Sequence, residues 1–505
     1  MPCLPEAGRT YDKGEWLMDS VFQGLTGRIV LPGNPFYNEF RQGWNRAIQQ
    51  YPVVIDYCQS EADVSNAVLW ARKHGVPIRI RSGGHNYEGY SNGNCTLVID
   101  ISEMNAMELD ECEGILRVQA GVTNGQVYGF VSSKGYPFPG GTCPTVGVSG
   151  FASGGGWGLS CRMFGLGCDS LLEIRMVNFE GRVLIANRMC NPDLFWALRG
   201  AGGGNFGVIT GMVFRLPPKV DRVTLIEIDY LHVSSQEQVQ FLQTWQHWLA
   251  SADNRMTLIA RIYNSPSDGL AMLVRGIFYG EPEEAKRILK CFLALENAEP
   301  NLEYVSFLEA VTVIGSSYPP FEKFQSVSRY ALRELTVMEC ESLAEIVSRP
   351  PRGSVFAGVS LYALGGRVAE VGVNDTAFFY RRAGYILWLE TVWENSRFAQ
   401  ENRDWINLWF PCFASMTTGS YVNFPYDLLS CYLEEYYGEH APVLRKIKAK
   451  YDPLNVFTFP QGIDRYGKAR RFFKEDGAFD EESGLMENGT DAFNHRGFRY
   501  VKRQD

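Results

Sequence analysis

His85 stands in Arg81-Ser-Gly-Gly-His-Asn-Tyr-Glu-Gly-Tyr-Ser, and Cys143 in Pro-Gly-Gly-Thr-Cys-Pro-Thr-Val-Gly-Val-Ser-Gly. Both side chains are nucleophiles able to bond an electrophilic carbon of a bound cofactor. The glycines around them remove side chains and let backbone approach a ligand closely. Taken singly, such a His reads as a turn residue and such a Cys as a small buried thiol. Two glycine-rich, proline-punctuated loops, each following an apolar strand, instead point to backbone amides that hold phosphate or a cofactor ring. Neither residue lies in zinc-ligand spacing, and the chain contains no Cys-x-x-Cys and no His-Glu-x-x-His. Structural zinc, dithiol redox chemistry and a zincin site are thereby set aside.

A third chemical feature is Glu390, which interrupts the apolar run Tyr385-Ile-Leu-Trp-Leu-Glu-Thr-Val-Trp and shares a strand face with Ile386 and Trp388. A carboxylate there is costly unless it is functional or paired, for instance with an arginine such as Arg381. Two glycine patterns are decoys. Gly202-x-Gly204-x-x-Gly207 matches the dinucleotide fingerprint by letter, but a helix precedes it and a strand follows, the reverse of what the fingerprint needs. The stretch from Gly462 to Gly467-Lys468 resembles a P-loop but ends in Ala469, which cannot ligate magnesium.

These residues need a scaffold. Val53, Val54 and Ile55 form a strand, and Ser60 caps a helix with Glu61 and Asp63 in its first turn. Val64, Ala67, Val68 and Ala71 repeat at helical spacing, Gly75 closes the helix, and the strand from Pro77 delivers the His85 loop. A second unit runs from Val98 through Leu116 to the helix around Val127 and ends at the Cys143 loop. Strands are expected at 174–178, 183–185 and 208–216, with a short helix from Asp193. Beyond Pro217-Pro218 the texture changes. Ser235 and Gln238 are expected to form a capping box, strands 256–263 and 270–279 a hairpin, Pro282 a helix start, and 359–363 and 385–393 further strands. Runs of strands with helices on one face describe an antiparallel α+β domain.

With 505 residues, 45% hydrophobic and 13% aromatic, the chain suits a globular enzyme of two domains. A net charge of -9 without basic runs beside aromatics argues against nucleic acid as a partner. No apolar run approaches the ~18–20 residues of a spanning helix, so no membrane association is expected. The first residues lack the pattern of a secretory signal. The expected location is therefore cytoplasmic, with most of the twelve cysteines reduced and the sequons at Asn94, Asn374 and Asn488 unused.

From about Thr26 to Ile463 the chain resembles the berberine bridge enzyme-like FAD-linked oxidases of the vanillyl-alcohol oxidase and p-cresol methylhydroxylase superfamily. The resemblance rests on the His85 and Cys143 motifs, Ser-Gly-Gly-Gly-Trp-Gly, Asp-Leu-Phe-Trp-Ala-Leu-Arg-Gly, Gly-Asn-Phe-Gly-Val-Ile-Thr, Tyr421-Val-Asn423 and Lys450-Tyr-Asp-Pro-Leu-Asn-Val-Phe. It implies a two-domain α+β flavoprotein. An FAD-binding α/β domain would span 1–217, completed by 421–465. A substrate domain with an antiparallel sheet covered by helices would span 218–420, and 466–505 would form a peripheral arm.

The resemblance further implies FAD attached twice, through His85 to the 8α-methyl carbon and through Cys143 to a neighbouring ring carbon. Arg81, Ser82, Gly83, Gly84, Asn86, Val146, Gly147, Gly150, Gly158, Gly207, Ile209, Tyr421 and Asn423 would complete the cofactor site. Val146 occupies the place where oxygen-using relatives carry a small residue, which favours an oxidase releasing hydrogen peroxide. Tyr421 and Glu390 are the two candidate bases. Phe151 and Tyr380 stand where relatives often have histidines. The implied reaction is oxidation of an alcohol on a sugar or secondary metabolite with O2. Oxidative cyclisation or dehydrogenation without efficient use of O2, and a non-catalytic flavin-binding protein, are the alternatives.

Overall fold

Short apolar runs separated by a capped helix build the first sheet. The computed structural model describes residues 21–464. Its first strands are β1 (Arg28–Val30), β2 (Val54–Tyr57), β3 (Ile78–Arg81) and β4 (Leu97–Asp100), in the order β1-β2-β4-β3. β2, β4 and β3 run parallel, with β1 antiparallel at the edge. β2 and β4 are buried along their whole length, as strands covered on both faces should be, and each carries a buried aspartate, Asp56 and Asp100. The helix Glu61–His74 joins β2 to β3. The Ser60 side chain accepts the Asp63 N–H, and Gly75 ends the helix at φ 66°, a left-handed value at which a side chain would be strained.

The second sheet holds β5 (Met107–Asp110), β6 (Ile115–Gln119), β7 (Leu171–Val177), β8 (Val183–Asn187) and β9 (Val208–Arg215), in the order β5-β6-β9-β7-β8, all antiparallel. The helix Pro192–Ala197 precedes β9, so the glycines at 202, 204 and 207 lie between helix and strand. That order rules out a nucleotide fingerprint there.

The third sheet is antiparallel, with β10 (Val223–Tyr230), β11 (Met256–Ser265), β12 (Gly269–Phe278), β13 (Glu299–Val305), β14 (Phe324–Ala331), β15 (Ser354–Ala363) and β16 (Tyr385–Trp393). Their order is β13-β10-β12-β11-β15-β16-β14. Helices Ser235–Ala250 and Val337–Ser348 pack on each other and on this sheet, and Ala399–Ser415 packs on β14 and β16. The capping box of the first helix is Ser234 with Glu237, one residue before the expected pair. Gln238 is fully buried and donates to the carbonyls of Tyr263 and Ala271, so its amide satisfies strand backbone instead of the helix end.

The chain returns at its end to the first two sheets. Lys448 and Asp452 form a fully buried ion pair at 2.6 Å, and Lys448 Nζ also donates to the carbonyls of Asn205 (2.6 Å) and Phe457 (2.7 Å). Tyr437 donates to the Ala201 carbonyl, and the Ile463 N–H to Asn205 Oδ1. Ten of the described cysteines are free and Cys95 is disulfide-bonded. Among the described residues no helix is long and apolar enough to cross a membrane. The arm expected at 466–505 lies outside the described residues.

Candidate functional site

β3 ends at Arg81, and the loop it releases meets the Cys143 loop backbone to backbone. A Cβ on Gly83 would fall 2.4 Å from the Gly147 nitrogen, and one on Gly147 would fall 2.3 Å from Ser82 Oγ. Only glycine permits this approach. At Gly150 a Cβ would meet nothing within 4 Å, so its backbone faces open space. That space is a cavity lined by Ser82, Gly83, Gly84, His85, Asn86, Cys143, Val146, Gly147, Gly150, Ile209, Tyr421 and Asn423. Phe151, Gly202 to Asn205, and Phe457 to Phe459 extend the wall.

His85 and Cys143 meet through a third residue. Thr145 Oγ1 lies 2.8 Å from His85 Nε2 and 3.4 Å from Cys143 Sγ. Trp44 stacks on the imidazole, with centroids 5.2 Å apart and planes at 23°. Burial pushes the His85 imidazole down to about 4, so at neutral pH the ring is uncharged and keeps a nucleophilic lone pair.

Tyr421 is buried, and its hydroxyl oxygen is surrounded by the Gly156 N–H (3.0 Å), the Trp157 N–H (3.2 Å) and Asn423 Nδ2 (3.0 Å). A phenol oxygen offers two lone pairs, so three donors favour the phenolate. Burial outweighs them and pushes the phenol up to about 12. Glu390 lies behind the lining, 6% exposed, with Oε1 3.6 Å from Arg261 Nη2. Desolvation pushes its carboxyl up to about 8, Arg261 pulls it down and Glu322 pushes it up. Its charge is felt by Tyr87, Tyr318 and Tyr362, which line the cavity, while Glu390 itself does not. Tyr87 stacks on Trp388 at 5.6 Å and on Phe424 at 5.3 Å, and the three form an aromatic wall.

Several expected site residues stand elsewhere. Arg81 is buried beneath the loop, paired with Asp100 and donating to the Tyr57 hydroxyl. Gly158 and Gly207 are packing glycines, whose Cβ atoms would fall 1.9 Å from the Gly140 oxygen and 2.5 Å from the Val177 oxygen. None of the three lines the cavity. Arg381 pairs with Asp169 and not with Glu390. Tyr380 stacks on Tyr330 and donates to the Glu435 carbonyl, away from the cavity wall. Thr145, Trp44, Arg261, Tyr318 and Tyr362 were not foreseen. Thr145 was legible only as the residue two positions after Cys143, and the others come from distant strands and loops.

A glycine-walled cleft, an aromatic wall and an uncharged imidazole suit a large planar cofactor with a phosphate tail. Residues 52–187 match the family model described as FAD binding domain, and residues 420–464 match the model Berberine and berberine like. The uncharacterized FAD-linked oxidoreductase YgaK of Bacillus subtilis is 35% identical over 447 residues, covering 87% of this chain and 97% of that protein. The tetrahydroberberine oxidase of Berberis wilsoniae is 27% identical, covering 80% of this chain and 83% of its own. Among solved structures, Physcomitrella patens BBE-like 1 superposes with a TM-score of 0.82 at 27% identity, covering 90% of this chain and 100% of that one. The fold and the cleft define an FAD-linked oxidoreductase. Within that class, the chain belongs to the berberine bridge enzyme-like family.

Proposed function

We propose that the chain is an oxidase with FAD joined to both His85 and Cys143, and that it oxidises a hydroxyl-bearing carbon of a sugar or secondary metabolite while O2 becomes hydrogen peroxide. The convergence of His85 and Cys143 on one cavity through Thr145 carries the reading. When bound, FAD supplies the acceptance of hydride and its transfer as electrons to oxygen.

The chain's own groups do the rest. The backbone around Gly83, Gly147 and Gly150 gives the cofactor a close-fitting floor. Tyr87, Trp388 and Phe424 present flat faces that suit a sugar ring or an aromatic metabolite. Glu390 takes the substrate hydroxyl proton, since a carboxyl near 8 is better matched to work close to neutrality than a phenol near 12. Tyr421 holds its place through three donors and orients the substrate oxygen. Val146, a small side chain on the wall beside Cys143, leaves room for oxygen. The tetrahydroberberine oxidase likeness supports oxygen as acceptor.

A panel of sugars and alcohols read by peroxide formation tests the proposal. At least one donor should give peroxide in step with its own oxidation. Rapid dye-linked turnover without peroxide would make the chain a dehydrogenase, and a flavin that no donor reduces would make it a binding protein.

A further inference from the structure

Thr145 Oγ1 stands between the two nucleophiles, 2.8 Å from His85 Nε2 and 3.4 Å from Cys143 Sγ. A hydroxyl has one hydrogen and two lone pairs, so this bridge runs in one of two directions. In the first, the thiol donates to Thr145 and Thr145 donates to Nε2, which leaves the imidazole proton on Nδ1. In the second, Nε2–H donates to Oγ1 and Oγ1–H donates to sulfur, which leaves the lone pair on Nδ1. In either direction Thr145 occupies Nε2, so Nδ1 is the nitrogen left to attack, and only the second direction leaves a lone pair on it. Among the described residues Nδ1 has no hydrogen-bond partner. Trp44 fixes the plane of the ring, and is itself held by its N–H to the Gly84 carbonyl and by Nε1 to the Pro319 carbonyl.

We propose that Thr145 is a positioning residue for cofactor attachment: it holds His85 in the tautomer with a free Nδ1 and donates to the Cys143 sulfur. The inference rests on the reading that FAD is joined to both residues. At His85, Nδ1 forms a C–N bond to the ring methyl carbon. One proton leaves the methyl group and one leaves the imidazole, and two electrons enter the flavin. At Cys143 the sulfur forms a C–S bond to a ring carbon, with one proton lost from the thiol and one from that carbon, again leaving two electrons on the flavin. In both steps dioxygen is the oxidant, taking two electrons and two protons to become hydrogen peroxide. Thr145 itself gains and loses nothing. It sets which nitrogen attacks and holds the sulfur beside the cofactor cavity.

The test compares wild type, Thr145→Val and Thr145→Ser, expressed and purified in parallel, by peptide mass spectrometry of the His85 and Cys143 segments. The Thr145 side chain is exposed, so valine removes a hydroxyl without opening the core. In Thr145→Val the fraction of His85-linked flavin should fall about fivefold, the scale of one lost hydrogen bond. Thr145→Ser, which keeps the hydroxyl, should restore it. Wild-type occupancy of both linkages in Thr145→Val would overturn the proposal, as would a serine variant no better than valine. Absence of either linkage from the wild-type protein would instead overturn the tethering reading, and shows before any variant is made.

Discussion

Glu390 and Tyr421 would leave different marks on a pH profile. A base works only when deprotonated, so with Glu390 as base kcat/KM rises with pH and levels off above about 8. A rise governed by Tyr421 would continue toward about 12. Glu390→Gln should lower kcat/KM by ~10²–10⁴ and remove the rise near 8. A glutamine variant that keeps the wild-type profile would transfer the role to Tyr421. Val146 belongs to the same scale. Val146→Leu should slow reoxidation by O2 about tenfold, ~1.4 kcal/mol on that barrier, and leave reduction by substrate unchanged in stopped flow. Equal effects on both half-reactions would show that Val146 shapes the cavity without controlling oxygen. At this scale the sequence was most informative. Glycines beside a nucleophile mark a close backbone approach, so the His85 and Cys143 loops could be read directly. Glu390's partner could not, because Arg261 reaches it from β11, two strands away in the sheet.

The elements were legible where local chemistry decides them. Ser60 and Gly75 bracket the first helix as their capping preferences require, and the hairpin of β11 and β12 turns at the expected Ser265–Gly269 stretch. β13 and β14 gave no comparable signal. β13 is a polar edge strand with Pro300 inside it, and β14 buries Ser326, Ser328 and Arg329 among its apolar residues. Tertiary partners override pattern there: Arg329 pairs with Glu435 at 2.5 Å, and the Ser328 hydroxyl accepts the Tyr421 N–H. The C-terminal return makes a prediction at this scale. Lys448 is buried with its ammonium held by Asp452 and two carbonyls. Removing one partner of such a pair strands the other, so Lys448→Met or Asp452→Asn should cost about 3–5 kcal/mol in denaturant unfolding. A loss below ~1 kcal/mol would mean that the return is anchored elsewhere.

At the scale of the whole molecule, the cavity draws on residues near 85, 145, 205, 388, 421 and 459, which no local pattern connects. Only the resemblance to a family linked them in the sequence, and composition supplied no more than size and class. A cofactor held by so many distant segments should bind the folded state alone and stabilise it. In a His85→Ala, Cys143→Ala double variant the melting temperature should climb with added FAD, by the equivalent of ~2.7 kcal/mol at one hundred times Kd. The wild-type melting temperature should not respond to added FAD. A double variant indifferent to FAD would place the cofactor outside this cavity.

The central claim, one flavin fixed at two points, is tested most directly by the intact mass of denatured protein together with the colour of its acid precipitate. Wild type, His85→Ala and Cys143→Ala should each retain one FAD per chain, the two single variants through the remaining linkage, and the double variant should release all of it. Release of flavin to the supernatant by the wild-type protein would contradict the account.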